Sequence, residues 1–171
     1  MTKDRYCLGR EFVFLYNFRK VERNDFVVHN FKAKLMYPEY LVEPMRKELT
    51  SVGFEELKTS EEVDTAIQSE GTVLVVVNSV CGCAAANARP AARTAIQNEK
   101  HPDKLVTVFA GMEKDAVDKA RNYMLPYPPS SPAIALFKNG ELVHMIERHQ
   151  IEGRSAGMIS DNLVAAFDAY C

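Results

Sequence analysis

Two thiols one residue apart, Cys81 and Cys83 around Gly82, stand just past an unbroken apolar run, Thr72 to Val77. Thiols this close suit disulfide exchange or metal binding. The run is short and rich in β-branched residues, which predicts a buried strand. Ala84-Ala85-Ala86 then opens a helix-favouring stretch, with Asn78, Ser79 and Gly82 supplying turn chemistry between the two. A strand-to-helix junction presents the thiols to the unpaired amides of a helix start, and their partial positive charge favours thiolate over thiol. A free cysteine titrates at about 8.5, so a lowered value supplies a nucleophile at cellular pH.

Two other readings of the pair stay open at this point. The thiols are two small buried side chains, or they hold a metal, although zinc takes four ligands and the chain has no second close cysteine pair. His101, beside Pro102, reads as a loop residue, and His29, His144 and His149 have no spacing that forms a triad or metal site. Cys7 and Cys171 read as bystanders. Cys171 ends the last helix and resolves a disulfide only if that helix lies near Cys81.

The elements that position the thiols follow from periodicity. Leu41, Val42, Met45 and Leu49 recur at helical spacing from Pro38 to Val52, with Gly53 as a stop. Thr59 or Ser60, followed by Glu61 and Glu62, signals a second helix that Gly71 closes. Past the cysteines, a helix over 84–99 carries Pro90, which removes one amide donor and predicts a kink. Leu105 to Phe109 reads as a second strand and Glu113 to Tyr123 as another helix. Strand, helix, strand predicts a right-handed crossover with parallel pairing. A proline-rich loop, 127–132, then leads into Ala133 to Lys138, and Asn139-Gly140 marks a hairpin to Glu141–Glu147. Ala156 to Tyr170 closes the chain as an amphipathic helix.

Composition narrows the function. The 171 residues carry a formal net charge of −2, which gives no general basic footprint for nucleic acid. No apolar run approaches the roughly 20 residues of a membrane helix. Basic Lys3, Arg5 and Arg10 precede the apolar 12–16, but the run is shorter than a signal core and no small-residue cleavage site follows. The expected location is therefore cytoplasmic, where a close cysteine pair is catalytic or metal-binding rather than a scaffold.

This order of elements is that of thioredoxin-like domains, and the string Ser131-Pro132-Ala133 to Asn139-Gly140-Glu141 resembles their cis-proline segment. The resemblance implies an α/β thioredoxin-like fold, a central mixed sheet of about four strands flanked by helices, and a cis peptide at Ser131–Pro132. It also implies a substrate groove formed by Ser131, Pro132 and Gly82. Thioredoxins carry two residues between their cysteines and this chain carries one. Met36-Tyr37-Pro38-Glu39, the strand running into Cys81-Gly82-Cys83-Ala84-Ala85, and Asn87-Ala88-Arg89-Pro90-Ala91 are similar to segments of bacilliredoxins. That family implies Cys81 as nucleophile toward S-bacillithiolated proteins and Cys83 as the resolving thiol. It implies no bound cofactor, bacillithiol as co-substrate, a separate flavin disulfide reductase for recycling, and room for a homodimer. Rival activities are a general protein disulfide reductase or isomerase and, in another class, a thiolate metal carrier. The match covers residues 36–171. Residues 1–35 read as an N-terminal extension, or as translation from a start codon upstream of Met36. Arg89 reads as a solvated helix residue, or as a contact for a malate-bearing thiol. Asn78, Ser79 and Asn87 read as residues that shape the turn or cap the helix.

Residues two apart on a helix point about 200° away from each other. A Cys81–Cys83 disulfide therefore needs a local turn, which Gly82 permits, and the narrow spacing predicts a more easily reduced bond than thioredoxin's.

Overall fold

The apolar run at 72–77 is covered on both faces, and its alternation decides the layers. The computed structural model describes residues 36–171; the reading of 1–35, with Cys7 and His29, lies outside the described residues. The strands are β1 (Glu55–Glu56), β2 (Thr72–Asn78), β3 (Lys104–Phe109), β4 (Ala133–Lys138) and β5 (Glu141–Ile146). They form one sheet in the order β1-β3-β2-β4-β5. Along β2, Val73, Val75 and Val77 enter one core while Leu74 and Val76 enter the other. A strand buried on both faces needs helices on both sides. On the Leu74 face lie α1 (Glu39–Thr50), α3 (Arg89–Ala95) and α6 (Ala156–Tyr170), contributing Leu49, Ala91, Leu163 and Phe167. The Val75 face is covered by α2 (Ser60–Ile67) and α4 (Lys114–Tyr123), through Val63, Ile67, Ala116 and Val117.

Local chemistry sets the ends of these elements. Thr59 caps α2: its Oγ1 accepts from the Glu62 amide at 3.2 Å, and the Glu62 carboxylate accepts from the Thr59 amide at 3.1 Å. Ser155 caps α6 by accepting from the Met158 amide at 3.2 Å. Asn139 and Gly140 both have positive φ, 50° and 82°, the geometry of a tight β4–β5 hairpin.

β2 pairs parallel with β3, as the crossover argument requires, and β4–β5 is antiparallel. The sheet has five strands rather than about four. The extra one, Glu55–Glu56, pairs parallel with β3 and is too short and too charged to show alternation. The helix after the cysteines also differs from expectation. It passes through Pro90 and ends at Ala95, and its irregularity lies ahead of the proline as a π-helical turn, Ala84–Ala88. Pro90 has no amide to donate to the turn before it, and the widened turn absorbs that loss, with the Arg89 amide donating to the Ala84 carbonyl. A one-turn helix, α5 (Arg148–Ile151), follows β5; four residues are too few for any period. None of the described helices is long and apolar enough to cross a membrane.

Candidate active site

Sheet register brings three separate segments to one edge. Asn78 ends β2 beside Phe109 at the end of β3, and Val77 pairs with Ala133 at the start of β4. One step further, the loop holding Cys81 meets Ser131–Pro132, whose peptide bond is cis. On the other side of β4, Ile134 pairs with Ile146, and continuing that register brings Pro132 level with Arg148. Arg148 Nη1 donates to the Ser131 carbonyl at 3.2 Å. The carboxyl ends of parallel strands, where α/β proteins place their ligand clefts, thus carry the thiols here.

Helical geometry begins directly after Cys81. Its carbonyl accepts from the Ala84 and Ala85 amides at 3.1 and 3.2 Å, and its Sγ accepts from the Ala84 amide at 3.4 Å. Cys81 therefore occupies the position a capping Ser or Asp takes at a helix start. Ser79 Oγ donates to the same sulfur at 3.3 Å. Burial by itself pushes this half-buried thiol up. Hydrogen bonds from the Cys83 thiol, the Ser79 hydroxyl and the Ala84 and Cys83 amides outweigh it, and the Cys81 thiol lies below the ordinary thiol value. Cys83 is displaced the other way. Burial, its hydrogen bond to Cys81 and the Cys81 charge raise it, and the Arg148 guanidinium offsets part of that rise. The two sulfurs are thus unequal: one is set up as a thiolate, the other as the thiol that donates to it.

Behind the thiols stands a buried network centred on Arg89. Arg89 is 1% exposed, and this corrects both readings of it, the solvated residue and the ligand contact. Its Nη1 donates to Asn78 Oδ1 at 3.1 Å and to the Ser79 carbonyl at 3.0 Å, while Nε donates to Glu48 on α1 at 2.8 Å. Asn78 Oδ1 also accepts from the Ser79 amide at 2.8 Å, and Asn78 Nδ2 reaches the Met45 carbonyl at 3.2 Å. One guanidinium thereby fixes the two residues that precede the thiol loop, and its charge is met by Glu48. Asn78 and Ser79 do shape the turn. Asn87 instead donates to the Ile151 carbonyl at 3.3 Å, joining the helix to α5.

Gly82 has open space where a Cβ would stand and no positive φ, so this conformation does not itself demand glycine. Cys171 lies at the opposite edge, its sulfur near Thr72 at the start of β2. The length of β2 separates it from Cys81, on the order of 20 Å at 3.3 Å per residue, which removes it as a resolving thiol within one chain. His101 sits in a loop against the Pro102 carbonyl and His144 Nε2 lies 2.8 Å from Asn162 Oδ1. Among the described residues no three His, Cys, Asp or Glu side chains converge on a common metal position.

A cleft of about 330 Å³ opens beside Cys81. Ser79, Ser131, Gly111, Tyr37, Arg121 and Arg148 are among its walls. Tyr37 packs against Gly111, where an added Cβ would come within 2.8 Å of the ring. Sequence reasoning missed Arg121 and Arg148. Counting the register back from Asn139-Gly140 reaches Glu147 opposite Pro132; a bulge between Leu136 and Phe137 shifts the pairing by one residue and brings Arg148 there instead, which no local signal announces.

A family model described as disulphide isomerase matches residues 37–171. A bacilliredoxin of Cytophaga hutchinsonii is 58% identical over 133 residues, covering 78% of this chain and 98% of the relative. A bacilliredoxin of Halalkalibacterium halodurans is 57% identical over 136 residues, covering 79% of this chain and 94% of the relative. Among solved structures, a putative oxidoreductase with a thioredoxin fold superposes with a TM-score of 0.50 at 21% identity, covering 70% of this chain and 96% of its own. The thioredoxin-like domain of Arabidopsis NCP gives the same TM-score at 18% identity, over 69% of this chain and 79% of its own. The fold is thioredoxin-like, and the chain belongs to the bacilliredoxin family of thiol-disulfide oxidoreductases.

Proposed function

We propose that this oxidoreductase removes bacillithiol from S-bacillithiolated proteins, with Cys81 as nucleophile and Cys83 as resolving thiol. The observation that carries the assignment of roles is the set of donors converging on Cys81 Sγ, from Ser79 Oγ and the Ala84 amide, with no such set on Cys83 among the described residues. The Cys81 thiolate attacks the bacillithiol sulfur of the mixed disulfide. A Cys81–bacillithiol disulfide forms, the protein–bacillithiol bond breaks, and the target leaves as a thiolate that takes up a proton.

The second step follows from the first by electrostatics. Once Cys81 is in a mixed disulfide its negative charge is gone, and with it two of the causes that hold Cys83 protonated. Arg148 still favours the Cys83 thiolate. Cys83 then loses its proton and attacks Cys81 Sγ, closing a Cys81–Cys83 disulfide and expelling bacillithiol as thiolate. Two electrons, supplied by bacillithiol and a separate flavin disulfide reductase, return the pair to thiols. No bound cofactor enters this cycle. Ser131 and the cis Pro132, level with the thiol loop, form the groove for the target protein.

Intact mass spectrometry of Cys83→Ala after exposure to an S-bacillithiolated protein tests this reading. A one-to-one bacillithiol adduct on Cys81 is expected. Its absence, with the target still modified, contradicts the reading. The family description favours a second reading, disulfide isomerisation; faster recovery of a scrambled multi-disulfide protein than of a bacillithiolated one selects it.

A further inference from the structure

The cleft beside Cys81 holds two guanidiniums and, among its lining residues, no carboxylate. Arg148 arrives from the start of α5, just past β5, and Arg121 from the last turn of α4, so the pairing is a product of the fold rather than of one charged stretch. Each is incompletely satisfied. Glu152 accepts from Arg148 Nε at 2.7 Å and lies 2.6 Å from Nη2, and Ser131 accepts from Nη1. That leaves two of the five guanidinium hydrogens. Among the described residues Arg121 has only Asp118, at 3.9 Å, and that carboxylate is already bonded to Lys114. Arg121 Nε is buried without a hydrogen-bond partner. An orphaned donor of this kind calls for a ligand or an ordered water.

We infer that Arg121 and Arg148 form a carboxylate-binding subsite that holds the anionic end of a low-molecular-weight thiol while its sulfur meets Cys81. Planar forked guanidiniums match carboxylates in paired hydrogen bonds. The half of a mixed disulfide seated here presents its own sulfur to Cys81, and the other half, the protein, becomes the leaving group. The subsite thus decides which of the two sulfurs is attacked. That choice separates removal of a small-thiol adduct from transfer of the target protein onto Cys81. Arg89, the arginine that sequence reasoning considered for this task, is enclosed and already paired. This inference rests on the function proposed above and extends it to the residues that select the thiol.

The test compares kcat/KM of the full chain on one carrier protein bearing a single mixed disulfide, either with bacillithiol, whose malate supplies two carboxylates, or with cysteamine, which has none. A charged hydrogen bond of the ordinary strength corresponds to about tenfold per guanidinium. The ratio is expected to favour bacillithiol by about 100-fold in the wild type and to fall toward unity in Arg121→Gln/Arg148→Gln. Arg121→Lys and Arg148→Lys, which keep the charge but lose the fork, should retain only part of it. Because Arg148 also acts on the thiols, the ratio and not the rate is the readout. Arg121 is partly enclosed; Arg148→Glu, on a half-exposed side chain, gives an independent arm and must lower the ratio more than tenfold. A wild-type ratio near unity, or one that the variants leave unmoved, overturns the subsite while leaving adduct removal intact. A ratio that instead tracks acidic residues placed around the carrier's cysteine also overturns it, in favour of a peptide contact. A wild type that strips neither adduct defeats the parent reading, and the subsite with it.

Discussion

The two ends of β2 each carry a cysteine environment, and they are opposites. Past Asn78, the half-buried Cys81 accepts hydrogen bonds from a hydroxyl and a helix-start amide, and its thiol falls below the ordinary value. Beside Thr72, Cys171 is exposed at the chain end, yet its thiol is raised, by burial of the sulfur and by the Asp103 carboxylate, against a partial offset from Thr72 and two lysines. Exposure therefore does not rank these thiols. What ranks them is the balance at each sulfur: donors outweigh burial at Cys81, whereas burial and the Asp103 carboxylate outweigh Thr72 and the lysines at Cys171. The same contrast holds for the supporting polar groups. At the Asn78 end a buried arginine orients acceptors and leaves hydroxyl and amide donors for the sulfur. At the Thr72 end Asp103 takes the donors itself, from the Thr72 amide and hydroxyl, both at 2.7 Å.

Four experiments break or sharpen this contrast. The largest effect belongs to the thiols. Cys81→Ser is expected to lower exchange by about 10³-fold or more, since a positioned nucleophile has no substitute, whereas Cys171→Ser leaves the rate within about twofold; a reductase-coupled assay reads both. Next comes Arg89→Met, which removes the partner of a buried network and strands Glu48, Asn78 and the Ser79 carbonyl. A loss of about 3–5 kcal/mol in urea unfolding is expected, against about 1–3 kcal/mol for Asp103→Ala, which removes an exposed-end acceptor. A smaller change follows from Ser79→Ala. Losing one hydroxyl donor to Cys81, worth about 1 kcal/mol, raises its thiol and moves the pH profile of Cys81 alkylation upward without moving that of Cys171. The subtlest effect is on Cys83. Blocking Cys81 as a mixed disulfide removes its charge, so Cys83 should titrate lower in the adduct than in the free protein, and Arg148→Gln should reduce that drop.

Much of this was legible in the residue order. Short apolar runs placed four of five strands and the period-3.6 pattern the main helices, because each of those elements is buried along its length on at least one face. The thiols at a strand-to-helix junction, the parallel crossover and the Asn139-Gly140 hairpin followed from local chemistry alone. What escaped lacks a period or depends on tertiary pairing. Glu55–Glu56 is a strand only because β3 is beside it, and α5 is a single turn. Arg89 looks like any charged helix residue until the π-helical turn and α1 enclose it. Arg121 and Arg148, 27 positions apart, meet only through the β4–β5 register and the packing of α4.

Competitive alkylation at a series of pH values, with each cysteine resolved by peptide mass spectrometry, tests the central claim most directly. Because Cys81 lies below the ordinary thiol value and Cys83 and Cys171 above it, the rate at Cys81 should rise with pH first and reach its plateau at a lower pH than the other two. The other two should still be climbing there. If Cys81 modifies no faster than Cys171 at neutral pH, or the three profiles coincide, the donors at the end of β2 do not make Cys81 the thiolate and the account fails.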